Sequence, residues 1–265
     1  MTPVWWNHKE TEASDSVMWD MKGLSKFPVF ASYPPRLRDI PLQWAPQIKT
    51  FWDDTAKYRQ EWQQVPNKYG YPTGSTTWSP AAAEMFYSVL RHFKSSVVVQ
   101  IGCGENSLVA HTALSQNKET GDIRGFGHLC IGKAPDGIPP AEVIEVQAVV
   151  HSIRASLFSE LVDSNDILSI DSTHIVKAYG DVLFVQLHIL PLLKAGVIVH
   201  IHGICNGKQP ESNYTFAPCL EFLSTRGRTE QDLLLAFLHG NADWKVLYLG
   251  LQSVYLQRQL THLSA

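Results

Sequence analysis

The chain has 265 residues, of which 45% are apolar, and carries a formal net charge of −3 at pH 7. This length and apolar content allow one large domain with a complete hydrophobic core and an appended segment. The charge excludes a basic nucleic-acid-binding surface. The longest apolar run, Val182–Leu193, is interrupted by Gln186, His188 and Pro191 and is too short to cross a bilayer. The N-terminus lacks a signal pattern, so we expect a cytoplasmic protein with neither nucleic-acid nor membrane partners.

The four cysteines are widely separated along the chain, and no two of them form a Cys-x-x-Cys pair. They are Cys103, Cys130, Cys205 and Cys219. In a cytoplasmic protein, cysteines spaced in this way are most simply reduced and partly buried. We therefore predict reduced thiols.

Residues 1–67 differ from the rest of the chain in their aromatic content. They hold Trp5, Trp6, Trp19, Trp44, Trp52 and Trp62, and a proline-punctuated run from Pro28 to Pro46. Tryptophans at this density need a covering surface. They form either an aromatic-rich helical cap or lid packed on the main domain, or a set of rings that lines a substrate pocket. The pattern predicts a helix over Gln47–Gln63 and a frayed segment over Met1–Thr11.

Residues 68–265 begin with a predicted loop, Lys68–Ser79, whose last residue caps a helix that starts at Pro80. The segment Ser95–Ser107 then runs from a β-branched apolar stretch through Gly102-Cys103-Gly104 into a helical pattern. A buried strand that turns on glycines into a helix is typical of nucleotide-binding α/β domains. Glycines there let the backbone approach a ligand, and the helix offers N–H groups without a partner in the helix.

Strand and helix signals alternate after this unit, which predicts a parallel sheet with helices on both faces and makes residues 68–265 a Rossmann-like α/β domain. The predicted strands are Val97–Ile101, His128–Ile131, Val143–Val146, Asp166–Asp171, Val197–His202, Trp244–Leu249 and Val254–Leu256. The predicted helices are Ile153–Leu161, Asp181–Leu193 and one from the cap Thr229 to Gly240. A long loop is predicted over Cys205–Arg228.

Three predicted strands end in polar residues, at the edge of an open α/β sheet where ligands bind. These ends are Gly102–Glu105, Asp171–His174 and His200–Gly203. Side chains alternate along a strand, so His200 and His202 share one face. We expect Asp171, His174 and His202 to lie within reach of one another.

This predicted cluster has three interpretations. A carboxylate and an imidazole, from Asp171 and His202, could bind a divalent metal. His174 or His202 could instead act as a general base on a substrate hydroxyl, since histidine titrates near neutral pH. The histidines could also serve only to cap strand ends by bonding to backbone groups. We favour contact with a substrate over metal binding.

Five stretches carry a resemblance to a known family. They are Arg91-His92-Phe93-Lys94, Ile101–Gly104, Asn165–His174, Ile189–His202 and Leu234–Leu238 with Asn241. In these stretches, over about residues 69–249, the chain resembles class I S-adenosylmethionine-dependent methyltransferases, and within them a small-molecule branch.

The resemblance implies a seven-stranded methyltransferase fold with one antiparallel strand, and S-adenosylmethionine bound over the glycine turn. It implies that the cofactor is contacted by Gly102, Cys103, Gly104, Glu105, Gly132, Asp171 and Ser172. The catalytic candidates are Asp171, His174 and His202, with the two histidines facing the methyl acceptor. The candidate substrate contacts are Tyr71, Trp78 and His200.

Two positions depart from the family pattern. The acid that ends the second strand and bonds both ribose hydroxyls is replaced by Gly132, and the acid that follows His200-Ile201-His202 is replaced by Gly203. Loss of a charged hydrogen bond to the ribose would cost about 1.5–3 kcal/mol of cofactor affinity. Glu105 and Asp136 are candidates to compensate for the first loss.

The leading hypothesis is S-adenosylmethionine-dependent methyl transfer to an oxygen or nitrogen of a small natural-product-like molecule in secondary metabolism. An alternative is the same fold reused for cyclisation, isomerisation or elimination in a biosynthetic pathway, with a cofactor that does not react. A further alternative is a catalytically dead partner that regulates another enzyme. A divalent metal is not favoured, and a homodimer is left open.

Overall fold

Seven strands form one sheet within the described residues, which are 44–64, 71, 78–134, 140–204, 229–239, 241–250 and 252–259 of this computed structural model. The strands are β1 (Val97–Ile101), β2 (Gly127–Ile131), β3 (Ile144–Val146), β4 (Ile167–Ile170), β5 (Ile198–His202), β6 (Trp244–Leu249) and β7 (Ser253–Arg258). Their order is β3-β2-β1-β4-β5-β7-β6. β7 runs antiparallel to both of its neighbours, whereas the other pairs are parallel. The predicted seven-stranded Rossmann-like sheet is confirmed.

Helices cover both faces of this sheet. The described helices are α1 (Ala45–Asp54), α2 (Ala56–Gln64), α3 (Pro80–Phe93), α4 (Asn106–Glu119), α5 (Ser156–Leu161), α6 (Asp181–Phe184) and α7 (Glu230–Leu238). Alternate residues of β1 serve the two faces: Val98 packs in a cluster with residues of α3 and α4, and Val99 packs in one with Phe158 of α5 and Leu234 of α7. Across the described ranges, no helix is both long and apolar enough to cross a membrane.

The strand order reverses between β1 and β4, so this sheet has a topological switch point where their carboxyl ends meet. In open α/β sheets, this crevice is where ligands bind. Gly102 follows β1 directly, and Asp171 follows β4 directly. The fold therefore places the glycine turn beside the first polar residue predicted for the site.

The described tryptophans of the N-terminal segment pack on the main domain. Trp52 stacks on Tyr248 of β6 with ring centroids 5.8 Å apart. The Trp62 ring lies 5.0 Å from that of Tyr87 on α3, and Trp44 packs against the core cluster. These contacts agree with the cap interpretation for residues 44–64. The segment Met1–Thr11 and the loop Cys205–Arg228 lie outside the described residues.

The helix predicted over Gln47–Gln63 is two helices, α1 and α2, that meet at Thr55. The buried Thr55 hydroxyl donates to the Phe51 carbonyl at 2.9 Å. Arg59 donates to both the Trp52 carbonyl and the Thr55 hydroxyl, at 2.8 and 2.7 Å. Side chains that bond to the backbone in this way compete with helical hydrogen bonding, and their partners cannot be identified from periodicity alone.

Three other predicted helix features differ from the structure. The segment Asp181–Leu193 is a single α-turn, α6, followed by a π-type turn and a 3₁₀ turn that contains Pro191, because proline has no N–H to continue the helix. The helix predicted from Ile153 begins only at Ser156. Thr229 makes no side-chain cap, since its hydroxyl accepts from the Val176 N–H at 2.7 Å. The predicted cap at Ser79 is confirmed, with its hydroxyl accepting from Ala82 N at 3.2 Å.

Candidate functional site

The glycine turn after β1 is in direct contact with the end of β4. Gly102 N donates to Ile131 O and Asp171 N donates to Ile101 O, each at 2.8 Å, so the ends of three strands are tied together. Gly102 has φ +90°, and a Cβ on it would lie 2.1 Å from the Asp171 carbonyl oxygen. Only glycine fits this position, both because of its backbone conformation and because of the space available.

Gly104 differs from Gly102 in what surrounds it. A Cβ there would meet only Asn106 Oδ1, at 3.5 Å, which is an ordinary contact distance. The packing within the protein does not require glycine at this position. Gly104 lies just before α4, whose N-terminus is the positive end of the helix dipole. An absent Cβ there leaves room for a molecule that approaches the helix N-terminus.

Cys103 and Cys130 form a disulfide with their Cα atoms 5.6 Å apart. The prediction of reduced thiols is therefore wrong for these two cysteines. Cys130 lies beside Gln100 in the parallel register of β1 and β2, and the turn after β1 brings Cys103 back toward it. Their sequence separation of 27 hides this pairing in the sequence. Their Cα separation falls within the range that a disulfide spans.

Asp171 is the residue through which the other polar groups of the site connect. Its Oδ2 accepts from the Trp78 indole N–H at 3.0 Å, and its Oδ1 lies 3.2 Å from His174 Nε2. Both carboxylate oxygens therefore have partners. Trp78 is almost fully buried, so its hydrogen bond to Asp171 is made away from solvent.

His174 is held between two carboxylates. Its Nδ1 lies 2.9 Å from Oε2 of Glu230, the first residue of α7 and almost fully buried. His174 has φ +61°, an uncommon conformation for a residue with a Cβ. Its carbonyl accepts from the N–H groups of Thr229 and Glu230, at 3.0 and 3.2 Å. The start of α7 thus fixes both the backbone and the ring of His174.

The charges of this cluster support one another. Burial opposes the charged form of His174, but its hydrogen bonds to Asp171 and Glu230 prevail and raise its pKa to about 9. Burial alone would raise the pKa of Asp171, yet the hydrogen bond from His174 and the nearby His202 hold that pKa well below its ordinary value. At neutral pH His174 is therefore an imidazolium and Asp171 a carboxylate, so these two hydrogen-bonded groups carry opposite charges.

His202 completes the predicted cluster. Its ring stacks on Trp78 with centroids 4.4 Å apart and an interplanar angle of 11°. The His174 and His202 ring centroids are 6.5 Å apart. The structure therefore brings Asp171, His174 and His202 together at the switch point, through Trp78. Their catalytic roles remain predictions.

His200 lies on the same face of β5 as His202, as the alternation predicts, and its ring is 5.4 Å from Trp78. Its Nδ1 and Nε2 are 2.9 and 3.1 Å from the hydroxyls of Ser169 and Ser253. Burial lowers its pKa well below the ordinary value, so the ring is neutral. Contact between His200 and a substrate would have to replace one of these hydrogen bonds.

Tyr71 is the other predicted substrate residue with a described position. It is buried, its hydroxyl donates to the Trp78 carbonyl at 2.9 Å, and burial together with the charge of Glu105 raises its pKa to about 12. The hydrogen bond from Tyr71 helps to hold the Trp78 backbone in place.

The remaining predicted cofactor residues lie around the turn. Glu105 directly precedes α4, and the Ser172 hydroxyl accepts from His174 N at 3.5 Å. A Cβ on Gly132 would lie 3.7 Å from the Gly102 Cα, so this position faces the turn. Their contacts with a cofactor remain predictions.

Sequence reasoning missed Glu230, Ser169 and Ser253. An acidic residue in the first turn of a helix is common, because it complements the helix dipole, so nothing in the sequence marks Glu230 as a partner of His174. Ser169 did carry a signal, as the polar residue of an otherwise apolar strand. It lies beside His200 in the register of β4 and β5.

Within the described ranges, no three His, Cys, Asp or Glu side chains are grouped so that they could hold a metal ion.

The chain matches no protein-family model and no curated protein sequence. Among solved structures, it is similar to the SAH-bound methyltransferase PaMTH1 of Podospora anserina, with 15% identity and a TM-score of 0.46, over 78% of this chain and 88% of that one. It is also similar to the O-methyltransferase TomG of Streptomyces achromogenes in complex with SAM, with 12% identity and a TM-score of 0.48, over 79% and 89%. A third similar structure is an O-methyltransferase of Bacillus cereus in complex with SAH. It has 10% identity and a TM-score of 0.44, over 77% of this chain and 91% of that one. At these identities the likeness concerns the fold alone.

Proposed function

We propose that the chain binds S-adenosylmethionine and transfers its methyl group to an oxygen or nitrogen of a small molecule. The observation that carries the proposal is the contact of Gly102 with the Asp171 carbonyl. Because of this contact, the glycine turn and the histidine cluster form one site at the switch point. The proposal includes a cytoplasmic location, and a net charge of −3 argues against a nucleic-acid partner.

The residues around the turn fit such a cofactor. Glycine at Gly104 is not required by the neighbouring protein atoms, yet it would be required by a nucleoside lying against the N-terminus of α4. Asp171, whose pKa lies well below its ordinary value, carries a negative charge beside the turn. A cationic sulfonium is favoured there by the same Coulomb attraction that keeps His174 protonated.

When bound, S-adenosylmethionine supplies an electrophilic methyl group. The work of the protein is to orient the acceptor and to take its proton. Of the two predicted bases we assign this role to His202, because His174 is held protonated by its hydrogen bonds to Asp171 and Glu230. Trp78 orients His202 by stacking. The hydrogen bond from Trp78 to Asp171 fixes the position of the Trp78 ring, and His174 in turn holds Asp171.

Replacement of Gly104 by alanine tests the proposal. Titration calorimetry should show that the wild-type chain binds S-adenosylmethionine and that Gly104→Ala binds it at least about tenfold more weakly, a loss of 1.4 kcal/mol. The free energy of unfolding should be unchanged, because a Cβ at Gly104 makes only an ordinary contact. Gly125→Ala is the matched control, since a Cβ there meets nothing within 4 Å. Absence of binding by the wild-type chain at millimolar cofactor would refute the proposal.

Non-methylating chemistry on the same fold is the second candidate, and the absence of acids at Gly132 and Gly203 supports it. Cyclisation, isomerisation or elimination would use the histidine cluster while the cofactor does not react. Incubation with labelled S-adenosylmethionine and candidate substrates distinguishes the two candidates: conversion of substrate without transfer of label supports the second. Binding without any conversion would support the third hypothesis, an inactive partner of another enzyme.

A further inference from the structure

The disulfide between Cys103 and Cys130 joins the middle of the glycine turn to β2. The Cys103 side chain is half-buried, whereas Cys130 is completely buried. A thiol from solvent would therefore approach Cys103 rather than Cys130. This asymmetry defines which sulfur is attacked and which one leaves.

Polar groups surround the buried sulfur. The Ser107 hydroxyl lies 3.7 Å from Cys130 Sγ and donates to Gln100 Oε1 at 2.8 Å. The same oxygen is 2.7 Å from His128 Nε2. Burial and the nearby His111 lower the pKa of His128 to about 3, so its ring is neutral and can donate to Gln100. Ser107 can turn its hydroxyl to Cys130 while Gln100 keeps a donor in His128.

We propose that Cys103 and Cys130 form a thiol-exchange site, at which a small thiol of the glutathione class sets the affinity of the glycine turn for its ligand. The part of this inference that concerns the ligand rests on the proposed function. The exchange itself depends only on the two cysteines and their surroundings.

The exchange balances as follows. The thiolate of the small thiol attacks Cys103 Sγ, a mixed disulfide forms, and the bond between Cys103 and Cys130 breaks with its electron pair on Cys130. Ser107 donates a hydrogen bond to the leaving Cys130 thiolate, which then takes up a proton. A second small thiolate attacks the mixed disulfide, releases the oxidised small disulfide, and leaves Cys103 reduced.

Reduction removes a covalent tie from the residue that lies between Gly102 and Gly104. The turn must then be ordered when the ligand binds, whereas the disulfide orders it beforehand. Fixing the backbone of a residue costs conformational entropy. We therefore expect about tenfold weaker ligand binding in the reduced form, which corresponds to 1.4 kcal/mol.

The first measurement counts thiols. Full-length protein purified without reductant is denatured, alkylated and weighed, before and after incubation with glutathione. Two alkylated cysteines before and four after are expected, with Cys103 and Cys130 as the reduced pair in peptide maps. The double variant Cys205→Ser and Cys219→Ser keeps only the pair, so it should give no alkylated cysteine before incubation and two after. Four free thiols that glutathione disulfide cannot oxidise would overturn the proposal.

The second measurement follows the turn directly. Hydrogen–deuterium exchange of the peptide that covers residues 102–107 should be faster in the reduced form and equally fast in Cys130→Ala. Titration with S-adenosylmethionine should give about tenfold weaker binding for the reduced chain than for the oxidised one, and glutathione should not change the affinity of Cys130→Ala. Equal exchange in both redox forms would overturn the coupling. If neither form binds S-adenosylmethionine, the proposed function fails, while the exchange data still decide the thiol site.

Discussion

At the scale of single residues, the site depends on hydrogen bonds among buried polar and charged groups. Asp171 accepts from Trp78 and from His174, and His174 in turn bonds to Glu230. A buried charge is costly unless it is paired and hydrogen-bonded. Each charged group of the cluster therefore needs its neighbours in order to stay buried. The arrangement is a chain in which each residue fixes the next.

Replacement of Trp78 by phenylalanine removes the donor to Asp171 and keeps an aromatic ring. A hydrogen bond to a charged acceptor contributes about 1.5–3 kcal/mol. Trp244→Phe is the matched control, since Trp244 is also buried but its indole N–H has no partner among the described residues. Urea unfolding should show that Trp78→Phe loses at least about 1.5 kcal/mol more than the control. Equal losses would contradict the role given to this hydrogen bond.

Replacement of Glu230 by glutamine tests the charge on His174. The pKa of His174 is raised from 6.5 to about 9 in the folded chain. Its stabilising contribution is therefore fully present below pH 6.5 and is lost as the pH rises through 9. The shift corresponds to about 3 kcal/mol. In Glu230→Gln, part of this contribution is absent, and the rest is lost at lower pH.

The measurement is the free energy of unfolding between pH 6 and 10, together with the titration of the His174 ring by NMR. Glu160→Gln serves as the control, because Glu160 pairs with Arg154 at an exposed position. Its pH profile should match that of the wild-type chain. A His174 titration that is the same in wild-type and Glu230→Gln protein would contradict the assignment.

At the scale of elements, the turn between β1 and α4 has two glycines with different roles: the fold requires Gly102 but does not require Gly104. Gly102→Ala would place a methyl group 2.1 Å from the Asp171 carbonyl oxygen and force φ +90° on a residue with a Cβ. Backbone strain alone costs about 1–3 kcal/mol, and the overlap adds to it. We expect Gly102→Ala to lower the free energy of unfolding sharply, whereas Gly104→Ala leaves it unchanged. Equal stability of the two variants in urea would be inconsistent with this division.

The helices α2, α3 and α4 are joined by a buried arginine. Arg91, near the end of α3, pairs with Glu61 of α2 at 2.7 Å and with Asp122, just after α4, at 3.1 Å. It also donates to Asn117 of α4. Arg91 is the first residue of the Arg-His-Phe-Lys stretch that contributes to the family resemblance. This position therefore has a structural role.

Replacement of Arg91 by leucine leaves these partners without their cation. Breaking a buried pair costs about 3–5 kcal/mol, and the partial exposure of both carboxylates places the expected loss near 3. Arg154→Leu breaks an exposed pair with Glu160 and should lose less than about 1 kcal/mol. Thermal unfolding of Arg91→Leu and Arg154→Leu compares the two losses of stability. Comparable losses would show that the Arg91 ion pairs contribute no more than an exposed pair.

The sheet and the meeting of Asp171, His174 and His202 could be predicted because they depend on local patterns. Apolar runs, a glycine turn and polar strand ends specify which residues reach one edge of a parallel sheet. The bond from His174 to Glu230 could not, since it depends on where α7 begins, 56 residues further along. The disulfide was missed for the same reason: spacing does not show that β1 and β2 bring Cys103 and Cys130 together.

At the scale of the whole molecule, the site works without a divalent ion if His174 supplies the positive charge. Protonated His174 lies 3.2 Å from Oδ1 of Asp171, so its positive charge opposes the binding of a divalent cation at this carboxylate. We expect methyl transfer and S-adenosylmethionine affinity to be unchanged after dialysis against EDTA. A loss of activity that magnesium restores would show instead that Asp171 exchanges its partners for a metal.

Gln252, in the turn between β6 and β7, links parts of the chain that are made at very different times during synthesis. Its side chain accepts from Ser79 N, at the start of α3, across 173 residues, and its carbonyl accepts from Gly203 N. Ser253, the next residue, bonds to His200. A nascent chain therefore carries the glycine turn and Asp171 long before the residues that close the site exist. The site is therefore completed only once β7 has been synthesised, and a truncation before β7 would remove the strand that pairs with β5 and the Ser253 partner of His200.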